Sequence, residues 1–231
     1  VTGVLPPFGR LRNKFRAYWL VLVVAVCSML GSGLVMAHPH GWIDLSVRVI
    51  TNDEGVATAL HQTWRMDPFY SLVVFEELQQ IQGSNLQEGL DQLGGDIRDN
   101  LSQQHYFTTV RVNGEPQALG DVSEYTALER DGRLTFMFIL PLASPQPLAG
   151  QLLEYQVFDP TYYIEVVHEE EGGAPSEQAL ILNGEPDCRL SVLPADPDPE
   201  LVMQAALLDV DETGETGLGR HFAETGRIEC D

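Results

Sequence analysis

Two histidines, His38 and His40, flank Pro39, and Asp44 follows four residues later in the stretch AHPHGWIDLSV. The residue before a proline is pushed toward extended backbone, and Pro39 is itself held near polyproline or strand values. The two imidazoles therefore project to one side, and by strand parity Trp42 and Asp44 share that side. Imidazoles so spaced can converge on one ion, with Asp44 as an oxygen ligand or as the acceptor that orients a ring. Pro39 excludes the square-planar site built on deprotonated amide nitrogens, because it has no amide hydrogen to lose. What remains is an open site suited to Zn, Ni, Co or Cu(II). His61, Asp67, His105, Asp159 or His168 would complete it if folding brings them near. The opposing reading is an exposed, unliganded linker.

The residues ahead of His38 decide between these readings. Arg10, Arg12, Lys14 and Arg16 precede an almost wholly apolar or small run over 17–34, and Val35-Met36-Ala37 supplies a small-residue cleavage site. This is the pattern of a signal peptide over 1–37, cut after Ala37 so that His38 becomes the first residue of a periplasmic chain. Its free α-amine then joins its own imidazole in a chelate of the histidine-brace kind. An uncleaved membrane anchor is the alternative. Cys27 leaves with the signal, Val26 being a poor neighbour for a lipoprotein site.

The whole chain has 13 basic and 34 acidic residues, a formal charge of −21; cleavage removes four of the basic residues and no acidic one, leaving −25. Such a surface repels nucleic acid and anionic lipid and favours cations. Adaptation to a salty environment also accounts for it. The two remaining cysteines, Cys188 and Cys230, are expected to form a disulfide in an exported chain. Closing so long a loop would contribute about 4 kcal/mol. No phosphate-binding loop, dinucleotide fingerprint, nucleophile elbow or zincin helix is present, so no enzyme is indicated.

The elements that must position these residues are mostly strands. Ile43, Leu45, Val47 and Val49 alternate with polar residues, a half-buried strand, and 56–66 is its hairpin return. Asp67 and Pro68 open a helix to about Ile81 as cap and first residue. The glycine-rich stretch 83–96 is ambiguous, and a short helix is expected over about 96–104. Further strands follow at 106–114, on both sides of an Asp131-Gly132 turn, and along QLLEYQVFD and TYYIEVVHEE. Short strands near 179–182 and 188–193, a helix over about 197–208 and a small closing element end the chain. The class is α+β, mainly antiparallel β with sandwich-like sheets and a few short helices. Residues 38–231 form one domain, with 144–150 as the break if it divides into two packed lobes, 38–143 and 151–231. His61 is expected on the surface or satisfied by a partner, His105 and His168 in solvent, and His221 packed near the disulfide. Asp67-Pro68-Phe69-Tyr70 and Asp159-Pro160-Thr161-Tyr162-Tyr163 read either as structural turns or as walls of a binding surface.

Taken in order, AHPHGWIDLSV, TWRMDPFYS, YFTTVRVNG, DGRLTFMFILPL, VFDPTYYI and LGRHFAETGRIEC resemble a bacterial family of unknown function. Its members are commonly described as the periplasmic component of an uncharacterised ABC-type transport system, and many are encoded beside nickel and cobalt permeases. The resemblance implies a metal-handling accessory of a membrane permease or ABC transporter, with His38, His40 and Asp44 at the matching positions. An interaction domain that docks on such a transporter without binding metal is the second reading; a solute receptor is the third, the chain being short for two hinged lobes. Two departures from the family pattern stand out. Gly41 replaces an aromatic residue or valine, and the acidic calcium-loop-like segment of many relatives is reduced here to Glu88 and Asp91, so no calcium site is implied there.

Overall fold

A computed structural model describes residues 39–82, 85–184, 187–209 and 212–231. The expected signal peptide, its cleavage point and His38 lie outside them. The opening hairpin pairs β1 (Gly41–Thr51) with β2 (Val56–Met66). Alternation along β1 buries Ile43, Leu45, Val47 and Val49, each no more than 2% exposed. In the connecting turn Asn52 accepts the backbone N–H groups of Glu54 and Val56, the local bond that makes asparagine a turn former.

Helix α1 (Pro68–Gln82) starts where expected: the Asp67 carboxylate accepts the Tyr70 N–H at 2.9 Å, satisfying a donor left over in the first turn. The buried Ser71 hydroxyl donates to the Asp67 carbonyl and accepts the Leu134 N–H, which ties α1 to the sheet. Helix α2 (Leu86–Ser102) is longer than predicted and starts at an Asn85 cap. Leu86, Leu90, Leu93, Ile97 and Leu101 recur at helical spacing and face the core, a stripe that outweighs the cost of three glycines. One of these, Gly94, lets the helix approach β5 (Tyr125–Arg130); a Cβ there would lie 3.2 Å from the Ala127 Cβ.

The remaining strands are β3 (Thr108–Val112), β4 (Glu115–Gln117), β6 (Arg133–Pro147), β7 (Leu152–Val157), β8 (Ile164–His168), the small hairpin β9 (Glu170–Glu171) and β10 (Ala174–Pro175), β11 (Leu180–Leu182), β12 (Cys188–Leu193) and β13 (Thr225–Cys230). Helix α3 (Pro199–Ala206) lies between the last two. Asp131 and Gly132, at φ 54° and 76°, make the turn between β5 and β6, as hairpin geometry demands. One sheet runs β11-β1-β2-β6-β5, with β8 also on β1; the second runs β12-β13-β7-β3-β4.

The fold is thus α+β and mainly antiparallel, with one exception. β8 and β11 both pair parallel to β1, end to end along the same edge. Two successive lobes do not form. β3 and β4 lie in the second sheet with β7, while β8 and β11 return to the first, and 144–147 is simply the end of β6. One core draws Leu60, Trp64, Phe136 and Phe138 from the first sheet and Val110, Leu153, Tyr155 and Ile228 from the second. The Cys188–Cys230 disulfide joins paired positions of β12 and β13. Among the described residues no helix is long and apolar enough to cross a membrane.

Candidate functional site

β1 begins in a junction of three chain segments. The His40 N–H donates to the Tyr163 carbonyl at 3.0 Å, and the His40 ring lies against the Tyr163 ring, centroids 4.4 Å apart. The Asp67 N–H donates to the Trp42 carbonyl. While one Asp67 oxygen caps α1, the other faces Gly41 so closely that a Cβ there would sit 2.7 Å away. Gly41 therefore answers to Asp67: the absence of a side chain there is what admits the carboxylate.

These segments open on a groove of about 570 Å³. Ile43, Trp64, Met66, Ile97, Leu101 and Phe107 supply apolar lining; His40, Trp42, Phe69, Tyr70 and Tyr163 contribute the rings around its mouth, and Asp67 is its carboxylate. Phe107 closes one side from a short helical turn, His105–Phe107, in which all three residues have φ between 50° and 54°. Consecutive left-handed non-glycine residues are costly. The turn is held by burial of Tyr106, whose hydroxyl accepts the Val122 N–H.

The Asp159 turn delivers Tyr163. One Asp159 oxygen accepts the Thr161 N–H and hydroxyl, and the other accepts the Ile164 N–H. Its carboxylate thus closes its own loop. The segment before β13 docks on that loop: the Gly217 and Gly219 N–H groups reach the Pro160 carbonyl, and Phe222 stacks on Tyr162 at 4.1 Å. A Cβ at Gly219 would fall 1.9 Å from the Asp159 carbonyl oxygen. The Asp67 segment is therefore a capped helix start and the Asp159 segment a turn, and both give side chains to the groove, Asp67, Phe69 and Tyr70 from the first and Tyr163 from the second.

Asp44 lies in a neighbouring polar cleft of about 400 Å³ with Arg65, Arg133, Glu165 and Glu169. It is ion-paired with Arg133, whose other nitrogens donate to the Met66 and Arg65 carbonyls. Arg65 pairs with Glu169, which also accepts the Ser46 hydroxyl. Trp42 lines both the cleft and the groove, and so stands between Asp44 and His40. His61 is half-buried on β2, opposite Arg48 and Ile139; burial, then Arg48, lowers its pKa. His105 is exposed, as predicted, and His221 is exposed rather than packed. Among the described residues no three His, Cys, Asp or Glu side chains gather closely enough to hold a metal.

His168 corrects the expectation of a solvated role: it is 2% exposed. The Glu run after it reads as solvent-facing, but pairing with β1 sets His168 opposite Leu45 on the inward side. Its ring bonds Tyr155 through Nε2 at 2.8 Å and Glu224 through Nδ1 at 2.9 Å. Because a carboxylate only accepts, Nδ1–H donates to Glu224, and in the neutral ring Nε2 then accepts from the Tyr155 hydroxyl. The Tyr155 phenol is pushed well above its ordinary value by burial and then by Glu224. Burial raises the Glu224 carboxyl, but bonds from the His168 ring and backbone outweigh it and hold the group below its ordinary value. Sequence reasoning missed this set, and Arg133 as well. The only signal was the two-residue spacing of Val166 and His168.

The model of a family described as "Protein of unknown function (DUF1007)" matches residues 23–230. The chain is 27% identical over 201 residues to an uncharacterised protein of Haemophilus influenzae, covering 85% of this chain and 93% of that protein. No solved structure matches. With nearly its whole length inside that model, the chain belongs to the DUF1007 family.

Proposed function

We propose that the protein is a periplasmic accessory of a transition-metal transport system. It takes a divalent ion, Zn, Ni, Co or Cu(II), at the terminus released by cleavage after Ala37 and passes it to a membrane permease or ABC transporter. The observation that carries this reading is the placement of His40: it is fixed by Tyr163 at the mouth of the groove lined by Asp67, whose second oxygen lies beside Gly41. The imidazole of His38 and its α-amine would add nitrogen donors, and Asp67 an oxygen donor on a rigid support. Asp44, held by Arg133, supports the strand rather than the ion. A site with few preorganised ligands exchanges its metal readily, which suits delivery better than storage.

The test is calorimetric titration of the mass-verified mature protein with each metal. Replacing both His38 and His40 by alanine abolishes stoichiometric binding. Asp67→Asn weakens it by roughly tenfold, while Asp44→Asn leaves it unchanged. Undiminished binding by the double histidine variant overturns the reading.

A second reading is favoured by the outer face of α1, where Phe69 and Leu72 are 76% and 53% exposed. Exposed apolar side chains of this size mark contact surfaces. On this reading the aromatic Asp-Pro turns dock on a transporter without metal, and their substitution, not that of the histidines, breaks co-purification.

A further inference from the structure

We propose that the groove binds an organic cation, a positively charged group carried on an apolar body, at a site that needs no metal. Its volume of about 570 Å³ falls within the range of small-molecule sites, about 300–1,000 Å³. Its lining contains no lysine or arginine, and its one carboxylate is Asp67. Trp42, Phe69, Tyr70 and Tyr163, between 41% and 76% exposed, contribute aromatic rings to its lining, and aromatic faces attract cations through their quadrupoles. Asn100 and Leu101, in the last turn of α2, and Gln104 just beyond it also line the groove, so it adjoins the helix end that carries partial negative charge. An apolar body covers the floor of Trp64, Met66 and Phe107 while its charge meets Asp67 and the rings. The chain's formal charge of −21 favours approach of a cation and disfavours an anion of the same shape.

The left-handed turn at His105–Phe107 adds an independent reason. It sets Phe107 against the groove through a backbone that three non-glycine residues adopt only at a cost, and strain of this kind clusters where a binding surface must be held in shape. A quaternary ammonium has no lone pair to offer a metal, so its binding needs no ion; because Asp67 serves both, an ion held at the terminus competes with it.

The natural reporters are Trp42 and Trp64, which both line the groove. Their fluorescence is titrated with benzyltrimethylammonium, with its neutral isostere neopentylbenzene and with phenylmethanesulfonate, all with EDTA present so that metal capture does not enter. The expected result is saturable quenching by the cation, at least tenfold weaker binding of the neutral isostere and none of the anion. Phe69→Leu combined with Tyr163→Leu, changes at exposed rings, weakens the cation at least fivefold while the urea midpoint stays in place. Asp67→Asn weakens it further but also touches the α1 cap, so the ring variant is the decisive one. Equal binding of cation and isostere, or no response to the cation by the unaltered protein, overturns the proposal. Neither result bears on metal titration without EDTA.

Discussion

The Tyr155 hydroxyl meets the Nε2 of His168 at 2.8 Å between the two sheets, β7 contributing one partner and β8 the other. Glu224, at the entrance to β13, holds the other ring nitrogen and the His168 N–H. Both ring nitrogens of His168 and the Tyr155 hydroxyl are thereby used, and losing one partner leaves another without a bond. Tyr155→Phe keeps the ring and removes the donor, and should cost about 1–3 kcal/mol of stability. Urea denaturation at neutral pH checks this; an unchanged midpoint would mean that the bridge adds nothing to cohesion.

Two carboxyls near the bridge respond to pH in opposite senses. Glu224 is held below its ordinary value of 4.5, so its contribution is complete above that value and is lost as pH falls through the lowered one. Glu165 is raised by burial, an effect reduced by the Tyr162 bond and reinforced by Glu224. Its contribution is complete below 4.5 and disappears as pH rises through the raised value. Glu224→Gln should therefore destabilise the protein more at pH 7 than at pH 4, whereas Glu165→Gln should stabilise it at pH 7. Denaturation midpoints for both variants at the two pH values give the comparison, and parallel shifts would contradict the assignment.

Gly226 faces Tyr155 across the β13–β7 pair, and a Cβ there would lie 2.1 Å from a ring carbon. The phenol reaches His168 by lying over the glycine. Gly226→Ala should cost about 3 kcal/mol or more through overpacking. Tyr155→Ala in the same chain should relieve part of that cost, so the two changes are non-additive. Additive losses in the double-mutant cycle would place the defect elsewhere.

How far the sequence foretold these relations depends on the length scale of each. Ile43 to Val49 and Asp131-Gly132 announce strands and a hairpin because period two and positive φ are local properties. The Leu86-to-Leu101 stripe was equally local, but the glycines obscured it, since the value of Gly94 lies in packing against Ala127, a residue not yet placed. Parallel pairing of β8 with β1 left no local trace, and with it went the burial of His168. The groove was half legible: both Asp-Pro aromatic segments stood out, but not that Asp67 would adjoin Gly41 or that Asp44 would belong to Arg133.

The bridge between Cys188 and Cys230 spans 42 residues, a loop long enough for its loss to cost about 4 kcal/mol on the chain-entropy model. Replacing both cysteines by serine should lower thermal stability accordingly, yet leave metal titration at neutral pH intact, because the bridge lies in the second sheet. Loss of metal binding in a variant still folded by circular dichroism would couple the two sheets more tightly than their separate pairing suggests.

β1 opens the described chain but is finished by strands far downstream: Ile164 lies opposite Gly41, and Leu180 opposite Val47. Pairings so remote in sequence form late, because a long loop must close first. A chain made amino end first can close the β1–β2 hairpin early, but it has no Tyr163 on which to seat His40 until synthesis has entered its last third. A nascent or proteolytically shortened molecule ending near residue 160 would carry the same His40 without the Tyr163 carbonyl that fixes it, so the mouth of the groove takes shape only after both sheets have most of their strands.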